Sequence, residues 1–235
     1  MVKFFQNMPE IAAVMSERED GSMKLFEDSE LNLENRKRFF EKIGIGENKV
    51  VAAEIVHETD VAIVDNASPE IMREADGLVA KDENVFLSVT VADCIPVYFY
   101  EPEQKIIAIA HCGWRGIVDG IIESSVNKVI GLGGKAENLK VALGPGIDKC
   151  HFEIREDVLE RFSKYPEFII RREDKIFVDL KGIIRKQLAN FNINTENIED
   201  NKECTVEHDR YFSYRRDRPK STEAMIAIIG FKIED

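Results

Sequence analysis

The sequence of 235 residues holds four histidines and four cysteines, and one of each stands side by side in AIAHCGWRG, residues 108–116. Three potential metal ligands, His57, Cys94 and His111, fall where patterning places strand ends. Zinc accepts thiolate and imidazole, and a catalytic zinc keeps three protein ligands with a fourth position open to water. Two histidines and a cysteine answer that description. The same residues permit two other readings. Cys94 could be a nucleophile with His111 as its base, as thiol hydrolases require of a pair within hydrogen-bond reach. Alternatively, they are core histidines and a buried cysteine. Spacing leaves all three open, and the choice turns on whether His57 reaches the same point as the other two.

The residues around His111 suit a binding loop. Gly113 and Gly116 let the backbone turn tightly and approach a ligand. Arg115 offers a fork of donors to a phosphate or carboxylate. A helix expected to begin near Ile117 would aim its N-terminus at the same place, which favours an anion. Trp114 reads more readily as core than as a stacking platform. On a strand, Cys112 would face away from His111 and fill space. GPGIDKC, residues 144–150, is a second glycine-rich strand exit, either a plain turn or an anion-binding nest. YFSYRRDR, residues 211–218, places three arginines beside aromatics; it is a solvated face or a nucleoside or phosphate contact.

These residues need elements to position them. DSELNLENRKRFFEKIGI predicts a helix with Leu33, Phe39, Phe40 and Ile43 near one face and a stop at Gly44. KVVAAEIVH predicts a strand ending at His57, and VAIVD another. NVFLSVTVADCIPVYFY alternates from Val85 to Val91, passes through Asp93-Cys94 and resumes after Pro96, where an edge or a break is expected. QKIIAIAH follows through an EPEQ hairpin. IVDGIIESSVNKVIGLGG, EDVLERFSKY and DLKGIIRKQLANFNI predict helices. KVALGPGI, ECTVEH and MIAIIGFKI predict strands. Strands outnumber a βαβ alternation, so the expectation is one α+β domain over 1–235, with mixed or antiparallel sheets and helices packed outside.

Composition narrows the partners. A net charge of −12 repels nucleic acid and anionic membranes, while a small anion can still be held by local arginines. No apolar run approaches the ~20 residues of a membrane span. The N-terminal stretch is broken by acidic residues too early for a secretory signal. The cysteines form no CxxC, so no disulfide framework is expected. A cytosolic protein is the expectation.

The motifs NLENR, VH, VADCIPVYFYEP, AHCGWRG, GPGIDKCHFEI, ECT and RYFSYRR, in this order, resemble the bacterial laccase-domain family, from about Asn32 to Gly230. That family has been described both as multicopper polyphenol oxidases and as cysteine hydrolases, and its members are understood as zinc-dependent purine nucleoside phosphorylases. The resemblance implies zinc on His57, Cys94 and His111. It implies phosphorolysis of adenosine and inosine, cleavage of methylthioadenosine, and deamination of adenosine. It also implies a fold related to a bacterial toxin's deamidase domain, with sheets sandwiched by helices. Asn35, Arg36, Arg115 and Cys150 fall at motif positions that line the family's pocket. Three positions depart from the family pattern: Ile55 replaces a glutamine, Cys112 an alanine, and Ala224 an arginine. A laccase function is physically unattractive, because four-copper chemistry needs many imidazoles and the chain has four.

Overall fold

In the computed structural model, residues 1–25, 30–45, 49–218 and 222–232 are described. Two six-stranded mixed sheets carry the architecture. The first has the spatial order Val2–Phe4, Ile11–Met15, Met225–Phe231, Val85–Val91, Lys49–Ala53, Ile71–Met72. The second has the order Ile198–Asp200, Lys140–Leu143, Ile95–Glu101, Ile106–Cys112, Gly77–Ala80, Val61–Val64. A small antiparallel sheet joins Glu153–Ile154, Lys175–Val178 and Ile169–Arg172.

The alternation of side chains along a strand stacks these sheets face to face. Val85, Leu87, Val89 and Val91 point inward from the first sheet and meet Tyr98, Tyr100, Ile107 and Ile109 of the second. The opposite parity of the second sheet, Val97, Phe99, Ala108, Ala110 and Cys112, packs under the helices Ile121–Gly131 and Leu180–Ala189. The outer face of the first sheet, including Phe86, Ile226 and Ile228, is covered by Phe39 of the helix Glu30–Lys42. Helices therefore flank a two-sheet sandwich, as the α+β reading expects.

Several local expectations change in the tertiary setting. The first strand of the VH motif ends at Ala53, and His57 lies beyond it with φ 64°. The helix after HCGWRG starts at Trp114 and is broken by Gly120, whose φ of 105° divides Trp114–Asp119 from Ile121–Gly131. ECTVEH forms no strand, because only Cys204 bridges to Gly146. Leu33 is exposed, and the buried face of its helix is Asn32, Asn35, Arg36 and Phe39. The expected start of that helix at Asp28-Ser29 lies outside the described residues.

Pro96 sits in an interior strand, but at its second residue, where the strand has just emerged from a crossing. The strand Val85–Val91 belongs to the first sheet and Ile95–Glu101 to the second, so Ala92–Cys94 carry the chain between sheets. The chain makes the same passage between Ala53 and Val61, and again between Met72 and Gly77. Strand register brings these passages to one end of the sandwich: Ile95 pairs with Cys112, and Gly77 with Ala110.

Candidate metal site

His57, Cys94 and His111 meet at that end, and one donor atom from each lies within 4.8 Å of the others. His57 comes from the first passage, Cys94 from the third, and His111 from the end of the strand Ile106–Cys112. The two imidazoles stand edge to face with centroids 4.8 Å apart. His111 is buried, Cys94 half-buried and His57 exposed, so the group sits at the mouth of the sandwich and not within its core.

The middle passage supplies a residue that sequence reasoning did not single out. Asp76 is fully buried, and its Oδ1 lies 3.0 Å from His111 Nδ1. The same carboxylate accepts the backbone N–H groups of Val56 at 3.2 Å, His57 at 2.9 Å and Glu58 at 2.8 Å. Asp76 therefore does two things. It engages Nδ1 of the His111 ring and so leaves Nε2 as the free ring nitrogen, and it ties down the loop that carries His57. This is the carboxylate–histidine arrangement that fixes tautomer and orientation at metal sites. Nothing local in READG separates this aspartate from an ordinary turn residue.

Glycine at 113 has a steric reason. A Cβ there would stand 3.0 Å from His57 Nδ1, 3.3 Å from Cys94 Sγ and 3.4 Å from His111 Cε1. Gly116 likewise passes within 2.8 Å of the Glu58 carbonyl, measured from a Cβ it lacks. In GPGID, Gly144 and Gly146 press on Pro96 and Ile95, so close packing requires them and no anion nest is needed.

Electrostatics prepare the donors. Burial disfavours charge on both Cys94 and His111, but their mutual attraction outweighs it. With hydrogen bonds between them, and with His57 on the thiol side, the Cys94 thiol is brought down to about 6. The Cys94 charge and Asp76 hold the His111 imidazolium up to about 9. Burial raises Asp76, yet the His111 hydrogen bond and the Glu58 N–H leave it below the ordinary carboxylate value. Burial pushes the neighbouring Cys112 thiol well up, so it is the inert thiol of the pair. A thiolate and two imidazoles fit zinc: donors ~2.1–2.3 Å from one ion stand ~3.4–3.8 Å apart, within the spread seen here.

A cavity of about 490 Å³ opens over these residues, within the range of small-molecule sites. Its walls include Lys24, Ile55, Trp114, Arg115, Ile147, Phe152, Tyr214 and Arg215. Arg115 is exposed, stacks 4.5 Å over the Trp114 ring and has no ion-pair partner among the described residues. Trp114 is half-buried, with its ring 5.9 Å from Phe162, so it is both core and cavity wall. Ile55, Cys112 and Ala224 all lie on this cavity.

Not every sequence-predicted residue comes here. The helix bearing Asn35 and Arg36 covers the outer face of the first sheet, while the cavity opens at the sandwich end. Asn35 Nδ2 donates to Ser22 O at 3.1 Å, and Arg36 Nη1 to Met23 O at 3.0 Å. They brace the segment leading to Lys24, and burial lowers the Arg36 guanidinium to about 10. Cys150 is grouped with His151 and Cys204 instead. In YFSYRRDR, Arg216 gives its guanidinium to the carbonyls of Thr205 at 2.8 Å and Tyr211 at 2.7 Å. Arg215 reaches the cavity but donates to His151 O at 3.0 Å.

This sequence and fold match known proteins. The profile of the family described as multi-copper polyphenol oxidoreductase laccase covers residues 17–232, and the chain belongs to that family. It is 33% identical over 199 residues to a purine nucleoside phosphorylase of Deinococcus radiodurans, covering 84% of this chain and 76% of that one. It is 34% identical over 201 residues to the purine nucleoside phosphorylase YfiH of Escherichia coli, covering 83% and 79%. The crystal structure of the hypothetical protein YfiH of Bacillus licheniformis superposes with a TM-score of 0.88 at 28% identity, covering 94% and 93%. No helix among the described residues is long and apolar enough to cross a membrane.

Proposed function

We propose that the chain is a zinc-dependent purine nucleoside phosphorylase acting on adenosine, inosine and methylthioadenosine, and that it also deaminates adenosine. The observation that carries this reading is the convergence of His57, Cys94 and His111 at the mouth of the cavity, with Asp76 behind them. The relatives' names support the phosphorylase reaction. His57, Cys94 and His111 would hold the ion. When bound, zinc supplies Lewis acidity and can lower the pKa of water from ~15.7 toward ~7. Only two of the four histidines reach the site, which is too few for a laccase's copper set.

In phosphorolysis, a phosphate oxygen bonds to the anomeric carbon as the bond to the purine nitrogen breaks, and the electron pair leaves on the base. Arg115 is placed to draw phosphate into an acidic protein and hold it there, so positioning and charge neutralisation carry the rate. Trp114 and Tyr214 offer flat apolar walls for a purine.

A second reading rests on the ionised Cys94–His111 pair, which is also the resting state of a thiol hydrolase. The test is metal analysis of the purified protein beside adenosine turnover with and without phosphate. Stoichiometric zinc and phosphate-dependent release of adenine support the phosphorylase, with Cys94→Ala losing metal and activity while remaining folded. Turnover of acyl substrates by metal-free protein would establish the hydrolase instead. Full zinc occupancy in Cys94→Ala would overturn the ligand assignment.

A further inference from the structure

A second donor cluster lies outside the cavity. Cys150, His151 and Cys204 each bring one donor atom within 4.8 Å of the others. His151 Nδ1 is 3.2 Å from Cys150 Sγ and 3.7 Å from Cys204 Sγ. Around one tetrahedral zinc, a nitrogen and a sulfur ligand are held ~3.5 Å apart. The Asp148 N–H donates to Cys204 Sγ at 3.4 Å, so that sulfur is already an acceptor facing the cluster's loop. Glu207 Oε1 stands 3.7 Å from His151 Nδ1 on the open side. Cys204 is buried and the other two donors are half-buried, so the cluster is shielded from behind and reachable from solvent.

We propose that Cys150, His151 and Cys204 form a second, structural site for a thiophilic tetrahedral cation of the zinc class, with Glu207 or water as the fourth ligand. Two thiolates and an imidazole select such an ion over the hard, oxygen-seeking cations. The site's place in the chain says what it would do. Residues 146–151 and 204–207 belong to no sheet, and one bridge, Gly146 to Cys204, joins them. Ile147 N donates to Asp93 O at 2.7 Å, and Thr205 Oγ1 to Asp93 Oδ1 at 2.6 Å. Asp93 immediately precedes Cys94. An ion joining the two segments would therefore fasten the cavity wall that carries Ile147 and brace the passage that presents Cys94.

The test separates this site from the first. The full-length Cys94→Ala protein is stripped of metal under reducing conditions and titrated with Co(II), which gives thiolate-to-cobalt charge-transfer absorption only where a cysteine ligates. One cobalt per chain with that absorption is expected, because Cys150 and Cys204 are the remaining ligand thiols. The result stands or falls whatever the first site binds. His151→Gln in the same background, at a half-exposed position that spares the fold, should weaken cobalt binding by more than the ~10–100-fold that loss of even an outer-shell partner brings. Absence of the charge-transfer band in Cys94→Ala overturns the proposal. So does recovery of native protein with Cys150 and Cys204 already joined as a disulfide, read as two missing thiols on titration in denaturant.

Discussion

Gly113→Ala isolates the metal centre from the fold. The added methyl carbon would stand 3.0 Å from His57 Nδ1, 3.3 Å from Cys94 Sγ and 3.4 Å from His111 Cε1. Comfortable carbon contacts lie at ~3.5–4.0 Å, so the His57 and Cys94 donors must retreat by a few tenths of an ångström, while the His111 ring is already near ordinary contact. Metal sites tolerate only ~0.2 Å in ligand distance. Zinc affinity should therefore fall by at least ~10–100-fold, about 1.4–2.7 kcal/mol. The backbone itself accepts alanine, with φ −72° and ψ 158° at the N-cap of the short helix. Alanine in place of glycine at an N-cap costs about 0.5–1 kcal/mol, and the stiffer unfolded chain returns ~0.4–1 kcal/mol. The zinc-free protein should accordingly keep its stability to within about 1 kcal/mol. The assay pairs chelator competition for zinc with urea unfolding of metal-free protein. If Gly113→Ala binds zinc as tightly as the parent, the three donors do not close around an ion at this point. If metal-free stability falls in step with affinity, the methyl damages the fold and says nothing of the site.

Further outcomes follow from the same geometry. Asp76→Asn sets an amide N–H₂ against backbone donors, and should cost about 2–3 kcal/mol of stability and ~10–100-fold in zinc affinity; unchanged zinc binding would remove Asp76 from the site. Cys112→Ala should keep full metal occupancy and turnover at a cost of about 1 kcal/mol, checked by metal analysis and urea unfolding; a loss matching that of Cys94→Ala would show that Cys112 is the ligand. Asp217 is held at about 2 from 3.8 by Arg216, with the Ser213 N–H and Arg18 assisting against burial. Its carboxylate thus stabilises the fold fully above pH ~4, and that contribution is lost as pH falls toward ~2, because the unfolded chain takes up the proton first. Solvent screening reduces the expected contribution to about 1 kcal/mol, and Asp217→Asn should flatten acid unfolding across that interval; parallel curves for the two proteins would refute it.

Sequence by itself determined a good deal. The alternation in Val85–Val91 and the EPEQ hairpin are local patterns, and each strand's two faces follow from residue parity alone. The same parity placed Cys112 opposite His111. The donor types of His57, Cys94 and His111 left three readings open: zinc, thiol catalysis, or core histidines with a buried cysteine. What the sequence could not decide was convergence. His111 ends a strand, and only strand register together with the passages between sheets brings His57 and Cys94 to the same end of the sandwich. Asp76 was illegible for the same reason, since its partners are backbone N–H groups nearly twenty residues away and an imidazole 35 residues away. His57 was expected at a strand end, but the strand stops at Ala53 because Asp76 captures the loop's N–H groups. Asn35 and Arg36 show the opposite limit: a motif fixes residue identity, while packing assigned their helix to the outer face of the first sheet. Pairing, crossing and burial are long-range, and hydrogen bonds that span sheets have no signature in local spacing.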